Sequence, residues 1–296
     1  MTHPTRSAKI RTVRKGRIAG ARADRVAVEE PLEIRVEGKG VAVVMRTPGD
    51  DDDLISGFLL TEGVVRESKD IFEITHCRST DSRAREGNVI DVLLRKPEGV
   101  NFEALTRHVF SATSCGLCGK ASIEAVHMAF KPLRAGFRID ARILHSLPAV
   151  LAKSQAAFRE TGGLHAAALF DAEGRLLAAR EDVGRHNAVD KVLGHALRKG
   201  WLPLDRHILF VSGRTSFEIV QKALAARVPV VAGISAPSSL AVQFARANKQ
   251  GLAGFVRDDR FNIYAGASRF SGKGRARPLG APKPNSRTAQ RSVPTP

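Results

Sequence analysis

The sequence predicts an α/β protein, and three observations carry that expectation. Short runs rich in Val, Ile, Leu and Ala alternate with helix-length stretches through the second half of the chain. Apolar residues make up 43% of the 296 positions, enough to fill a substantial core. Polar loops rich in Gly, Ser and Thr recur where predicted strands hand over to predicted helices, as they do at the edge of a parallel sheet.

The elements follow in order. Leu32–Val36 and Gly40–Arg46 alternate as strands, and Asp50–Asp53 lead into an apolar helix through Leu54, Phe58 and Leu59. Val89–Leu94 is a further strand, followed by a short helical stretch around Phe102–Phe110 and a helix from about Ser122. A helix over about Asp140–Glu160 precedes a hairpin, Leu164–Phe170 with Arg175–Arg180, turned by Asp171–Gly174. Then come helix His186–Lys199, strand His207–Val211, helix Phe217–Ala226, strand Val228–Ala232, helix Ser238–Lys249, strand Leu252–Arg257 and a last strand, Phe261–Tyr264. The alternation predicts a mostly parallel sheet covered on both faces.

The formal charge of +17 sits largely at the ends. Residues 1–24 carry +6 and residues 271–296 another +6. Both ends are poor in apolar residues, so the sequence predicts basic unordered tails over 1–24 and 268–296, either solvated or docking on an acidic partner. Between them the division is an N-terminal α/β unit over 25–139 and a second unit over 140–267. Aromatic residues are 5% of the chain and no nucleic-acid motif is present, which argues against nucleic acid. No apolar run has the length of a membrane span and no leader pattern opens the chain; with three cysteines only, a reducing cytoplasmic setting is expected.

Chemistry concentrates at Cys115-Gly-Leu-Cys118-Gly-Lys120. A glycine-spaced loop with a nearby cation keeps sulfur accessible and favours the thiolate. Four readings fit such a pair: a zinc site, a structural disulfide, a thioredoxin-like dithiol, or a cysteine that carries sulfur as a persulfide. Zinc lacks a second pair, since only Cys77 beside His76 remains. The disulfide conflicts with a reducing setting, and Thr113-Ser114 stands where a dithiol motif usually has an aromatic.

Three further loops have the makings of an anion cradle: Glu181-Asp-Val-Gly-Arg185-His186-Asn187, Ser212-Gly-Arg214-Thr-Ser216 and Ser235-Ala-Pro-Ser-Ser239. Small residues permit close backbone approach, hydroxyls cap helices or hold oxyanions, and Arg185 and Arg214 add forked donors. Taken singly, each loop reads equally well as a turn with an N-cap. His165, after Thr161-Gly-Gly, and His186 suit a base, a nucleobase contact or a hydrogen-bonded core residue.

Together with Thr161-Gly-Gly-Leu-His165, Glu181–Lys191 and Ser212–Lys222, these blocks resemble the FdhD family of formate dehydrogenase accessory sulfurtransferases over about residues 25–266. The resemblance implies a homodimer that accepts persulfide sulfur from a cysteine desulfurase. It implies delivery of that sulfur to the bis-guanine-dinucleotide molybdenum cofactor required by formate dehydrogenase. Guanine nucleotides such as GDP are then expected to mimic the cofactor.

Carried over by position, Cys115 bears the persulfide and Cys118 attacks it or assists release. The cofactor-binding stretch falls at Phe255-Val256-Arg257-Asp258-Asp259-Arg260, joined by Arg185, His186, Ser212, Arg214 and Ser235. The resemblance also implies a cytidine deaminase-like, three-layer second unit without its zinc chemistry, because His165 is followed by Ala166-Ala167 and not by the expected acid. No metal ligands are expected. Two rivals are a cofactor-binding chaperone whose cysteines only sense redox state, and a zinc-stabilised nucleic-acid binder using its tails.

Overall fold

The structure is a computed structural model, and it describes residues 3–77, 87–102, 105 and 130–272. Cys115, Cys118 and Lys120, the helix expected near Ser122, and most of that expected around Phe102–Phe110 lie outside the described residues.

Fourteen strands and six α-helices are described. A four-stranded sheet in the order β4-β3-β6-β5 combines β3 (Glu30–Val36), β4 (Lys39–Arg46), β5 (Ile71–His76) and β6 (Val89–Leu94). A six-stranded sheet runs β13-β12-β11-β10-β8-β9. Its strands are β8 (His165–Phe170), β9 (Leu176–Asp182), β10 (Ile208–Val211), β11 (Val230–Gly233), β12 (Gly251–Gly254) and β13 (Asn262–Ala265). Here β10, β11 and β12 are parallel, β8 is antiparallel to β10, β9 to β8, and β13 to β12. Strands β9 to β12 therefore share one direction, and β8 and β13 oppose it.

Side-chain alternation along these strands sorts residues onto two faces, as a pleat of period two requires. Ala167, Leu169, Leu209, Val211, Val231 and Leu252 join one core with α4 (Arg185–Arg198), α5 (Phe217–Ala225) and α6 (Ser239–Ala247). Ala166, Ala168, Phe170, Ile208, Phe210, Val230 and Ala232 join the other, beneath Leu144, Leu147 and Leu151 of α2 (Ile143–Ser154). Both faces are thus covered, and the mixed α/β class is as expected. The single helix expected over 140–160 is two, α2 and α3 (Ala156–Thr161), broken at Gln155.

The division at 139/140 does not separate two cores. Strand residues Leu32, Ile34, Ile90 and Val92 of the smaller sheet belong to the same buried cluster as α4 and α5. The joint is α1 (Asp51–Thr61), where Leu54, Ile55, Leu59 and Leu60 are all buried. An apolar surface all round marks a helix enclosed by protein on every side. Helices α1 and α4 cross at Gly57 and Gly194: a Cβ on Gly57 would lie inside the van der Waals envelope of the Asp190 carbonyl, and one on Gly194 inside that of Asp53.

Both expected tails need correction. Thr5–Arg14 (β1) and Arg17–Ala27 (β2) pair as an antiparallel hairpin where an unordered tail over 1–24 was expected. The turn places Lys15 and Gly16 both at positive φ, 48° and 76°, the backbone a two-residue hairpin needs. An isolated hairpin is marginal. This one is anchored at its base, where Thr5 Oγ1 donates to Glu160 at 2.9 Å and Arg25 Nε sits 3.3 Å from the same carboxylate. The run of charges hid this, because Ile10, Thr12, Val13 and Ile18 still supply β-branched positions. At the other end, order continues past residue 268: Phe270–Ser271 (β14) pairs with Ile139–Asp140 (β7), and Arg269 is buried. No helix among the described residues is long and apolar enough to cross a membrane.

The α1–α4 crossing gives a direct test. Gly57→Ala is expected to lower stability by about 3 kcal/mol or more, because backbone and not a flexible side chain blocks the added methyl. Gly63→Ala, at positive φ 77° but outside the crossing, is expected to cost about 1 kcal/mol. Chemical denaturation of both variants measures the difference.

Candidate functional site at the carboxyl edge of the six-stranded sheet

Strands β9, β10, β11 and β12 all end at the same edge, so the segments that leave them converge there. Three enter helices: 182–185 enters α4, 211–217 enters α5 and 233–239 enters α6. The fourth is the turn 254–262. The three loops read from the sequence are these first three.

Backbone hydrogen bonds join the loops into one rim. Thr215 N donates to Ala236 O at 3.1 Å and Ser238 N to Thr215 O at 3.0 Å, with a parallel bridge between Thr215 and Pro237. Phe255 N donates to Ser235 O at 3.2 Å and Val256 N to Gly233 O at 3.1 Å. Close approach requires glycine at Gly254, where a Cβ would meet Pro237 Cδ at 2.9 Å and Ser235 O at 3.1 Å. On the other side His165 enters the rim, with Nδ1 only 3.2 Å from where a Cβ on Gly213 would stand.

Some polar atoms on this rim have no hydrogen-bond partner among the described residues. Arg185 Nε and Thr215 Oγ1 are buried without a hydrogen bond. Thr215 is fully enclosed, so its hydroxyl has been taken from water without a replacement partner. Arg214 is exposed at the tip of its loop. The Ser212 hydroxyl accepts from Ala166 N at 2.9 Å, which leaves its own hydrogen to donate. Phe255 is displayed at the rim, 42% exposed and at φ 54°, an unusual backbone for a bulky residue. An exposed aromatic on the same sheet edge as forked cations and hydroxyls has the chemistry to meet a flat base with phosphates.

Other expected site residues have structural duties. Asp182 is buried, pairs with Lys191 Nζ at 2.8 Å and accepts from Gly184 N at 2.8 Å and Thr47 N at 3.1 Å. Glu181 accepts from Ala157 N and Phe158 N at the start of α3. Ser238 caps α6 by accepting from Ala241 N at 3.3 Å. Arg257 Nη1 is drawn inward, donating to Ile234 O at 2.7 Å and Val256 O at 2.8 Å, so it fastens the turn to the rim. Asp258, Asp259 and Arg260 are exposed on that turn, and Val256 is buried. Of Asp50–Asp53, expected at the start of α1, Asp50 stands at the N-cap without a side-chain cap hydrogen bond, and the other three form ion pairs: Asp51 with Arg46 at 2.9 Å, Asp52 with Arg198 at 3.2 Å, and Asp53 with Arg180 at 2.7 Å and Arg198 at 2.8 Å.

One cluster at the rim escaped sequence reasoning. His186 Nε2 lies 2.9 Å from Glu218 Oε2 and 3.2 Å from Ser216 Oγ, and Ser216 Oγ donates to Glu218 at 3.0 Å. Burial works to raise the Glu218 carboxyl, but the His186 hydrogen bond and charge, the Ser216 hydroxyl and Arg185 outweigh it and hold it at about 2. Burial, with the charges of Arg185 and His186, keeps His165 below the usual histidine range. Glu218 was within a quoted motif, but only the fold shows that its first-turn position in α5 faces the α4 histidine.

A second cavity, about 880 Å³, lies away from the rim between the start of α1 and β9. Its acids and bases are largely paired with each other, which leaves little net charge for a ligand. Among the described residues, no group of three or more His, Cys, Asp or Glu is placed to hold a metal.

Fold and site thus define an α/β protein whose polar loops converge at the carboxyl edge of its six-stranded sheet. Comparison with known proteins agrees in family. The FdhD/NarQ family model matches residues 27–271, and the chain belongs to that family. It is 49% identical over 252 residues to a sulfur carrier protein FdhD of Nocardia farcinica, covering 84% of this chain and 89% of that one. It is 47% identical over 277 residues to its namesake in Streptomyces coelicolor, covering 92% and 97%. The crystal structure of a candidate formate dehydrogenase accessory protein from Desulfotalea psychrophila shares the fold, with a TM-score of 0.71, 24% identity, and coverage of 91% of this chain and all of that one.

The Glu218 cluster sets a pH test. A carboxyl held at about 2 contributes stability that is complete above the ordinary glutamate range and lost as pH falls toward 2. Glu218→Gln is expected to be less stable at neutral pH and to lose less stability than the parent between about pH 5 and pH 2. Urea midpoints across that range measure it, and parallel curves would contradict the assignment.

Proposed function

We propose that this chain is a sulfur carrier serving formate dehydrogenase, and that its loop rim holds the guanine-dinucleotide ends of the molybdenum cofactor that receives the sulfur. The observation that carries the rim's role is the convergence of three polar loops on one sheet edge with buried, unpartnered Arg185 Nε and Thr215 Oγ1. Family membership and the names of the relatives support the sulfur chemistry.

In this reading the Cys115 thiolate attacks the terminal sulfur of a cysteine desulfurase persulfide. A sulfur–sulfur bond forms on Cys115 as the donor's breaks, and the donor cysteine leaves as thiolate, with no net oxidation. Attack of the Cys118 thiolate on the inner sulfur of that persulfide releases sulfide to the cofactor and leaves a Cys115–Cys118 disulfide. A cellular thiol reductant then resets the pair.

The rim's part is binding and orientation. Arg185 and Arg214 face the pyrophosphates, the Ser212 hydroxyl donates to an oxyanion, and Phe255 stacks on the guanine. Arg257 acts through the turn it fastens. The chain works in the cytoplasm as a homodimer, whose two rims match the two nucleotides of the cofactor.

The test is intact mass after incubation with a cysteine desulfurase and cysteine. The parent is expected to gain reducible sulfur, Cys115→Ala to gain none, and Cys118→Ala to gain sulfur and hold it longer. Absence of any gain would reduce the protein to a cofactor-binding chaperone. Separately, GDP is expected to raise the melting temperature, with the rise reduced in Arg214→Gln and Phe255→Ala and the apparent affinity lowered about tenfold in each. No protection by GDP in the parent would remove the rim from the proposal.

A further inference from the structure

The opposite edge of the six-stranded sheet carries a second pocket, independent of the loop rim. It lies where the chain enters β10 at Ile208 and β11 at Val230, a strand's length of about 13 Å from the rim. The cavity measures about 570 Å³, in the range that accepts a small organic ligand. Four arginines line it, Arg134, Arg206, Arg227 and Arg269, against the single carboxylate of Asp205.

Arg269 is the telling residue. It is 4% exposed, and its guanidinium donates to three carbonyls: Nε to Lys249 O at 2.8 Å, Nη1 to Phe137 O at 3.3 Å and Nη2 to Arg134 O at 2.7 Å. Arg227 likewise donates to the carbonyls of Lys131 and Pro132. Carbonyl dipoles satisfy the donors but leave the full positive charges uncompensated.

Four other buried or half-buried cations each face a carboxylate. Arg46 faces Asp51, Arg180 faces Asp53, Lys191 faces Asp182 and Lys222 faces Asp190, all within 2.9 Å. Arg269 has no carboxylate partner among the described residues, and burial pushes its guanidinium below the usual arginine range. A charge withdrawn from water calls for an opposite charge. The remaining two arginines are exposed at the mouth, with Arg206 Cζ 5.9 Å from the centroid of the Phe137 ring, a cationic lip over an apolar wall.

We propose that this pocket is an anion site, taking a small organic molecule that carries phosphate or carboxylate groups. Arg206 and Arg134 clamp the anion at the mouth, Arg269 and Arg227 supply the fixed positive field within, and Phe137 contacts the ligand's carbon skeleton.

Isothermal titration of the full chain at about 0.15 M ionic strength tests it, with inorganic pyrophosphate and citrate as the two probes. Saturable binding of one of them is expected, pyrophosphate marking a phosphate site and citrate a carboxylate site. The Arg134→Gln, Arg206→Gln double variant changes only exposed side chains, so it should fold, and is expected to weaken binding about tenfold or more. Arg206→Lys is expected to fall between the two. Arg214→Gln weakens any pyrophosphate binding at the loop rim, and it is expected to retain the binding that the Arg134→Gln, Arg206→Gln double variant loses. Failure of both probes to bind the parent would overturn the proposal. So would an isotherm that the double variant leaves unchanged, or one that Arg214→Gln abolishes, the last placing the anion in the loop rim.

Discussion

The close crossing of α1 and α4 is the constraint on which the rest of the molecule depends. Gly57 and Gly194 let two backbones meet, and that contact brings the four-stranded sheet against the helices of the six-stranded one. The crossing is locked electrostatically at its edge. Asp53, in the first turn of α1, sits between Arg180 of β9 and Arg198 of α4 at 2.7 and 2.8 Å, with His195 Nδ1 at 3.1 Å. Burial works to raise the Asp53 carboxyl, but the two guanidiniums and His195 outweigh it and hold it below its usual range. Helix α1 and the later pair β9 and α4, far from it in sequence, are therefore referenced to one carboxylate. Farther along, Lys222 of α5 joins Asp190 of α4 at 2.8 Å and Thr61 of α1 at 2.9 Å, so the next helix is fixed to the same frame.

That frame decides where the loop rim stands. Helix α4 begins at Arg185, directly after β9, and its placement against α1 fixes Arg185 and His186 relative to the ends of β10 and β11. The rim itself is tied by backbone groups: Thr215 to Ala236 and Ser238, Ser235 to Phe255, Gly233 to Val256. Donors held in place before a ligand arrives lose little freedom on binding it. The division of labour is consistent. Backbone and Arg257 fasten the loops, Asp182 and Glu181 serve the neighbouring elements, and Arg185 Nε and Thr215 Oγ1 have no hydrogen-bond partner among the described residues.

Much of this was legible in the sequence, and for identifiable reasons. Strand Ile208–Val211 is buried on both faces, so a continuous apolar run announced it, and Val89–Leu94 shows itself by burying Ile90, Val92 and Leu94 on one face. Loops between strand ends and helix starts were legible because turn residues and N-caps have few substitutes. What escaped depends on partners remote in the chain. The hairpin Thr5–Ala27 hid beneath its charge because its anchor, Glu160, lies far along the chain. Asp51–Asp53 read as caps because local sequence cannot show Arg46, Arg180 and Arg198 waiting across the fold. Arg257 lies in the expected cofactor-binding stretch, and only the fold reveals the Ile234 carbonyl that its Nη1 reaches. The pairing of His186 with Glu218 needed α4 and α5 side by side.

The two ends of the six-stranded sheet differ in how they meet charge, and the difference follows from strand direction. At the carboxyl edge, chains leave parallel strands into helix N-termini, whose unpaired N–H groups and positive dipole ends favour anions without any buried cation. Side chains there need add only the forked donors, and Arg214 can stay exposed. At the opposite edge the geometry is reversed: α4 and α5 end at Arg198 and Ala225, and their terminal carbonyls bring negative dipole ends toward the entries of β10 and β11. Positive side chains belong at such an edge, and Arg227 and Arg269 answer with guanidiniums turned onto backbone carbonyls. Dipoles are partial charges whereas guanidiniums are whole ones, so four arginines over one carboxylate leave an excess that helix ends cannot absorb. The two edges of the sheet thus gather positive charge by different physics, one through helix N-termini and one through arginine side chains.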